Sequence, residues 1–394
     1  MQVKKLPNQS IYKISQAHPQ AATLLSNWGL RSMIESPQFA ILGQNITLEQ
    51  VARIKGLDLK AILDGFEPIF GETEPQEKVR ISGLLPCPVR LPLQEAFDGF
   101  LANAGIAVES DLQAASLGTD HLVEMIQRAE TEDDLPDILI SAGFDLFFDP
   151  AFQEKWLESG VYRFQPPFNS WNSDFTTTGL PDPKGQYGMI SAVPAVFMVN
   201  KEVLGDLEPP RSWEELLSGS YKGMVSLPIA DFDLFNAILI HLEQRFGEDG
   251  IHRLKESLFD AMHPAQMVKS AEKRREARPG ITVLPWFFTR TVREGSPLQA
   301  VWPAEGAIVS PIFILAKQGD ARIKACADFL SSPEVGTILA HKGLFPSSHP
   351  DVENHIPDGQ SFWWVGWDTI RKSNIANTLE RYMKLFEKQG EMEV

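Results

Sequence analysis

The chain has 394 residues, 43% of them hydrophobic and 22% charged, and a formal charge of −16 from 36 basic and 52 acidic side chains. That length exceeds one ordinary core and suits two or three domains, and the composition excludes disordered and fibrous classes. The acidity excludes a nucleic-acid binder or a protein held to anionic membrane, since both need a basic footprint; it also serves solubility.

The first stretch, "MQVKKLPNQSIYKISQAHPQ", has two lysines but no apolar segment behind them, so it does not read as a signal peptide. No run of 18 apolar residues follows anywhere, so no spanning helix is expected, and the chain as written reads as cytoplasmic. Residues 10 to about 70 read as a separate helical unit. In "AHPQAATLLSNWGL" Pro19 opens a helix, Gly29 closes it, and Ala22, Leu25 and Trp28 share a stripe. "TLEQVARIKGL" carries a Thr47–Gln50 capping box and ends at Gly56, and Asp58 caps a third helix through "LKAILDGF". The charged "GETEPQEK", residues 71–78, reads as a linker after a small helical domain at 1–72.

Strands and helices then alternate, as in an α/β domain. "VRISGLL" is a strand and "PLQEAFDGFLANAG" a helix. "DILIS" is a strand, followed by helix from the Asp149–Pro150 start. "AVFMVN" is a strand, and "RSWEELL" a helix with a Ser212–Glu215 capping box. "GMVSLP" and "DLFNAILIHLEQRFG" form another strand and helix. "ITVLP" and "AIVSPIFILAK" are strands, "RIKACADFLSSPEVGTILAHKG" makes two helices, and "TIRKSNIANTLERYMKLFEKQG" one final helix. Just two cysteines occur, Cys87 and Cys326, too far apart and too few for a disulfide framework or zinc site.

The segments "PDILISAGFDLFF", "GMISAVPAVFMVNKEVL", "PRSWEELLSGSYKGMVSLP", "PAEGAIVSPIFILAKQG" and "ADFLSSPEVGTILAHKGLFPSSHPDV" resemble, in order and spacing, ABC-transporter solute-binding proteins of the ferric-iron type. That resemblance implies the type 2 periplasmic-binding-protein fold: two α/β lobes joined by crossover strands, with ligand bound between them. It apportions 78–185 to the first part of lobe 1, 186–300 to lobe 2, and 301–394 to the return to lobe 1 plus a C-terminal helix. It also implies a small-molecule ligand and an ABC permease as partner, with no cofactor. The N-terminal segment resembles a small helical domain of unknown function related to the leader domain of iron–sulfur repair proteins. That family often has cysteines after its "GL" turn. Here the turn reads "GLRSMIESP", so no metal role carries over.

In open α/β sheets ligands bind beyond the carboxyl ends of the strands. Four stretches qualify: "LPCPV" with Pro86 and Cys87, "SAGF" with Ser141, Ala142 and Gly143, "SLPIADFD" with Asp231 and Asp233, and "LPWFFTR" with Trp286, Phe287 and Phe288. In the ferric-iron family the segment matching "LPWFF" carries adjacent tyrosines that hold the ion. Phe287 and Phe288 offer no oxygen to a hard cation, so no metal site is expected. Anions fit poorly as well. Pro86 and Pro88 lack N–H donors, while Asp145, Asp231 and Asp233 bring carboxylates to helix starts, where ordinary capping also explains them.

Rings with carboxylates suit a neutral organic or cationic ligand, with Trp286 as a cation–π face. Cys87 reads either as plain packing or as a soft ligand or reactive thiol, and His263 is a lone histidine.

Three functions compete. The first is a binding protein without chemistry, supported by the absence of any GxSxG, HExxH, phosphate-loop or CxxC motif. The second is an enzyme on the same fold using Cys87 and His263. The third is a cytoplasmic sensor whose N-terminal unit docks a partner.

Overall fold

A computed structural model of the chain describes residues 3–70, 78–114, 120–144, 146–229, 232–261 and 278–387. The expected linker, apart from Lys78, lies outside the described residues, as do Asp145, Asp231 and His263. By internal contacts the chain divides into Met1–Lys78 and Val79–Val394.

The first unit is helical. Helix α1 (Ile11–Ala17) is capped by Ser10, and α2 (Pro19–Leu25) starts on Pro19 with the His18 ring accepting from the Gln20 N–H. The chain leaves helical geometry at Trp28 and turns at Gly29, whose φ is +82°. The buried face is consequently Ala21, Leu25 and Leu30, while Ala22 and Trp28 are half-buried. The expected Ala22–Leu25–Trp28 stripe is met in part: Leu25 is core and Trp28 packs against it, while Ala21 is the more deeply buried alanine.

Helix α3 (Leu48–Lys55) has the complete Thr47–Gln50 capping box and ends on left-handed Gly56. Helix α4 (Leu59–Phe70) begins with Asp58 accepting from the Lys60 N–H at 2.9 Å and continues through Pro68, burying Ile62, Phe66 and Phe70.

The second unit is built, among the described residues, on one continuous ten-stranded sheet. In chain order its parts are β1 (Val79–Leu85), α5 (Cys87–Ala104), β2 (Val108–Ala114), α6 (Asp120–Arg128), β3 (Ile138–Ala142), β4 (Gly188–Asn200), β5 (Val225–Leu227) and α7 (Phe232–Ser257). There follow β6 (Leu258–Ala261), β7 (Ile281–Pro285), β8 (Leu298–Val301), β9 (Ala307–Ala316), α8 (Ala321–Leu330), β10 (Phe362–Trp363), α9 (Trp367–Lys372) and α10 (Ile375–Glu387).

The strand order is β2-β1-β3-β9-β4-β7-β5-β6, with β10 beside β9 and β8 beside β4. Two parallel sets, β2-β1-β3 and β7-β5-β6, are thus joined through β9 and β4, which run antiparallel to each other and to the set each borders. Both crossover strands are buried along their whole length, so they read as continuous apolar runs instead of alternating ones.

The structure corrects several expectations. Strand β4 begins at Gly188, because the half containing Pro194 pairs with β9. Helix α5 already starts at Cys87, so most of "LPCPV" is a first helical turn and not a loop. Pro88 fits there because a first-turn N–H has no intrahelical acceptor. Ser212 accepts from the Glu215 N–H, but Glu215 reaches back to the Arg211 N–H, one residue before the expected box closure. The final helix divides into α9 and α10, broken at Ser373.

Candidate functional site

Sheet register brings the carboxyl ends of the two parallel sets together. The last residue of β3, Ala142, pairs with Ile312 of β9, which pairs with Ser191 of β4. The last residue of β7, Pro285, pairs with Ala195 of β4. The carboxyl ends of the two parallel sets therefore face the same stretch of β4, four residues apart, or about 13 Å along an extended chain.

Two of the expected loops touch there. Gly143 follows β3 with φ +81°, and a Cβ built on it would lie 2.8 Å from the Asp233 Cα and 3.1 Å from Asp233 Oδ1. Its N–H donates to the Pro311 carbonyl at 2.8 Å, and Ser310 Oγ donates to the Asp233 carbonyl at 3.1 Å. The start of α7 is thus held against the loop after β3, with the Asp233 carboxylate beside Gly143. Ser141 and Ala142 are buried in the sheet.

Beyond Pro285 the chain winds into a 3-10 turn, Trp286–Thr291, with Trp286, Phe287 and Phe288 all half-buried against the core. Trp286 meets Trp302 edge to face at 5.4 Å between centroids. Phe287 lies 5.3 Å from Phe288 and 6.2 Å from Phe345. Arg290 pins the turn by donating to the His341 carbonyl at 2.8 Å.

Phe345 also lies near the start of α5, because a Cβ on Gly343 would meet both Phe345 and Val89. The aromatic turn and the "LPCPV" stretch are thereby brought onto one segment, residues 341–345. Pro86 is half-buried and Cys87 is exposed at the first turn of α5; neither cysteine is in a disulfide.

Sequence reasoning passed over Ser191, Ser310, Phe345 and Trp302. Ser191 Oγ donates to the Phe345 carbonyl at 2.9 Å and ties that segment to β4. A buried serine inside an apolar strand was the available signal for Ser191 and Ser310, since a hydroxyl there needs a partner. Behind Phe144 lies fully buried His241 of α7, its Nδ1 2.7 Å from the Ala237 carbonyl and its ring boxed by Phe144, Trp363 and Trp364. Burial drives its pKa down to about 4.

Among the described residues no three His, Cys, Asp or Glu side chains gather as a metal site would need, and no helix is long and apolar enough to cross a membrane. Cys87 is the single described member of the Cys87–His263 pair.

The fold is the two-lobed type 2 periplasmic-binding-protein fold. Residues 133–373, well over half of the chain, match the family of bacterial extracellular solute-binding proteins, and the chain belongs to that family. The family is described as solute-binding, and two of the structural neighbours below are titled as binding proteins. The family is extracytoplasmic by its description, which gives no support to the cytoplasmic expectation.

Solved structures share the fold at low identity. A ferric binding protein from Campylobacter jejuni aligns with TM-score 0.55 and 15% identity, covering 79% of this chain and 99% of that one. The periplasmic binding protein AfuA from Actinobacillus pleuropneumoniae, with exogenous fructose-6-phosphate bound, aligns with TM-score 0.52 and 14% identity over 78% and 97%. A two-component system protein described as mediating signal transduction aligns with TM-score 0.56 and 14% identity over 78% and 100%. Compared with curated protein sequences, the chain has no significant match.

Proposed function

We propose that this solute-binding protein closes its two lobes on a small organic or cationic ligand, seated between the loop after β3, the start of α7 and the aromatic turn after β7. The observation that carries the reading is the register of β4, which sets the carboxyl ends of both parallel sets against Ser191–Ala195. The chemistry follows from the side chains there. Three half-buried rings offer apolar and cation–π surface, and the Asp233 carboxylate offers a counter-charge to an amine. Phe287 and Phe288 supply none of the oxygens that a ferric ion requires. In this reading Pro86, Cys87, Asp231 and Asp233 border the ligand, lobe 1 takes 78–185 and 301–394, lobe 2 takes 186–300, and an ABC permease receives the loaded protein.

Native mass spectrometry of protein purified without denaturation identifies the copurifying molecule. With that molecule in hand, Trp286→Ala should weaken binding by about 1–3 kcal/mol, as loss of an anchoring ring does. Unchanged affinity in a folded variant places the ligand elsewhere, and unfolding of the variant makes the ring core.

A second reading has one observation in its favour. The solved neighbours are nearly fully covered by about four fifths of this chain, and Val79–Val394 is 316 of its 394 residues, so Met1–Lys78 is an addition to the binding fold. In that reading the protein is a cytoplasmic sensor whose N-terminal unit engages a protein partner. Cell fractionation separates the two, since a sensor of this kind stays with the cytoplasm.

A further inference from the structure

A groove of about 640 Å³ opens between α7 and the C-terminal pair α9 and α10, and shares no residue with the site at the strand ends. Its volume is in the range of small-molecule sites. Arg381, the basic side chain of its lining, is already paired: its Nη2 donates to Glu243 Oε1 at 2.9 Å, and the Tyr382 hydroxyl donates to the same oxygen at 3.1 Å. An anionic ligand would have to break that pair.

The neutral groups are differently placed. Among the described residues the side chains of Ser373, Asn377 and Thr378 line the groove without making a hydrogen bond, while buried Ile240 and Ile375 and the ring of Tyr382 form apolar floor between them. Uncommitted hydroxyl and amide groups around an apolar floor complement a molecule with hydroxyls on its rim and C–H groups on its faces.

We propose that this groove is a second binding site, for a neutral hydroxyl-rich molecule of the carbohydrate class. It stands independently of the reading given for the strand-end site.

Saturation-transfer NMR on the full chain with sucrose and D-glucose tests it, with glycine, putrescine and inorganic phosphate as zwitterionic, cationic and anionic controls. The sugars should give saturation transfer and the three controls should not. Asn377→Trp, which fills the groove from an exposed helix position, should weaken sugar binding at least about tenfold. Thr378→Val, which keeps the shape and removes one hydroxyl, should weaken it about fivefold. Trp286→Ala should leave it unchanged.

No transfer to either sugar in the full chain overturns the proposal. So does transfer that survives both groove variants, a loss confined to Trp286→Ala, or a response to the charged controls in place of the sugars.

Discussion

At Gly143 the residue type and the site geometry are the same fact. Its φ of +81° lies in the left-handed region, where an L side chain costs about 1–2 kcal/mol, and the position a Cβ would take is occupied by the backbone of Asp233. Gly143→Ala should therefore destabilise the protein by about 2 kcal/mol or more, because backbone strain and the displaced helix start act together. Chemical denaturation measures this directly, and a variant as stable as the parent would mean that the β3 loop and the α7 start do not meet as described.

Residues of this kind were half legible. A glycine after a strand marks a turn, but nothing in "SAGF" names its partner 90 residues on. The aromatic triplet was legible as an oddity because three large rings exceed what a turn needs. Their packing on Trp302 and Phe345 is long-range and leaves no local trace.

At the scale of elements, the apolar runs foretold the strands well where turn residues bounded them, as in β1, β3 and β7. They understated β4, where Pro194 mimics a boundary although the strand continues past it. Short pieces such as β8 and β10 were missed, since two to four residues carry too little pattern, and so was the seven-residue edge strand β2, which is largely exposed or half-buried and has no apolar run.

Helix α7 shows what burial does to a titratable group that pattern alone counts as one more helix residue. His241 titrates near 6.5 when unfolded and at about 4 in the fold, so the unfolded chain binds its proton more readily. The neutral form's contribution is intact above pH 6.5 and is lost as pH falls from there toward 4, reaching a cost of about 3 kcal/mol. His241→Phe suits the surrounding Phe144, Trp363 and Trp364 rings and removes the proton site. Its urea midpoint should fall less between pH 7 and pH 5 than that of the parent. Parallel pH profiles would mean that His241 does not carry the acid sensitivity in this range; the carboxylates of Asp134 and Asp320, whose pKa values hydrogen bonds hold low, lose their contribution only at more acid pH, below the ordinary carboxylate range.

At the scale of the whole molecule the change from helical to α/β patterning was visible in the sequence, because the period of the apolar residues itself changes after residue 78. Each unit has its own buried cluster. One gathers Leu6, Ile14, Leu25, Val51 and Phe66, and the other is built around the crossover strands. Charge divides as unevenly as structure. Residues 1–78 hold 8 basic and 8 acidic side chains, so the remaining 28 basic and 44 acidic ones put the whole −16 on residues 79–394. Two cores that share no residue are expected to unfold as two cooperative units. Limited proteolysis should cut first within the acidic stretch around residues 71–78 and release a resistant fragment beginning near residue 75. Calorimetry of the full chain should then resolve two transitions, the larger one reproduced by the isolated fragment. That fragment should also retain the copurifying ligand, since every residue proposed to touch it lies beyond Lys78. First cleavage inside residues 186–300, or a fragment that unfolds once residues 1–74 are gone, would show that the N-terminal unit is part of the binding body and not an addition to it.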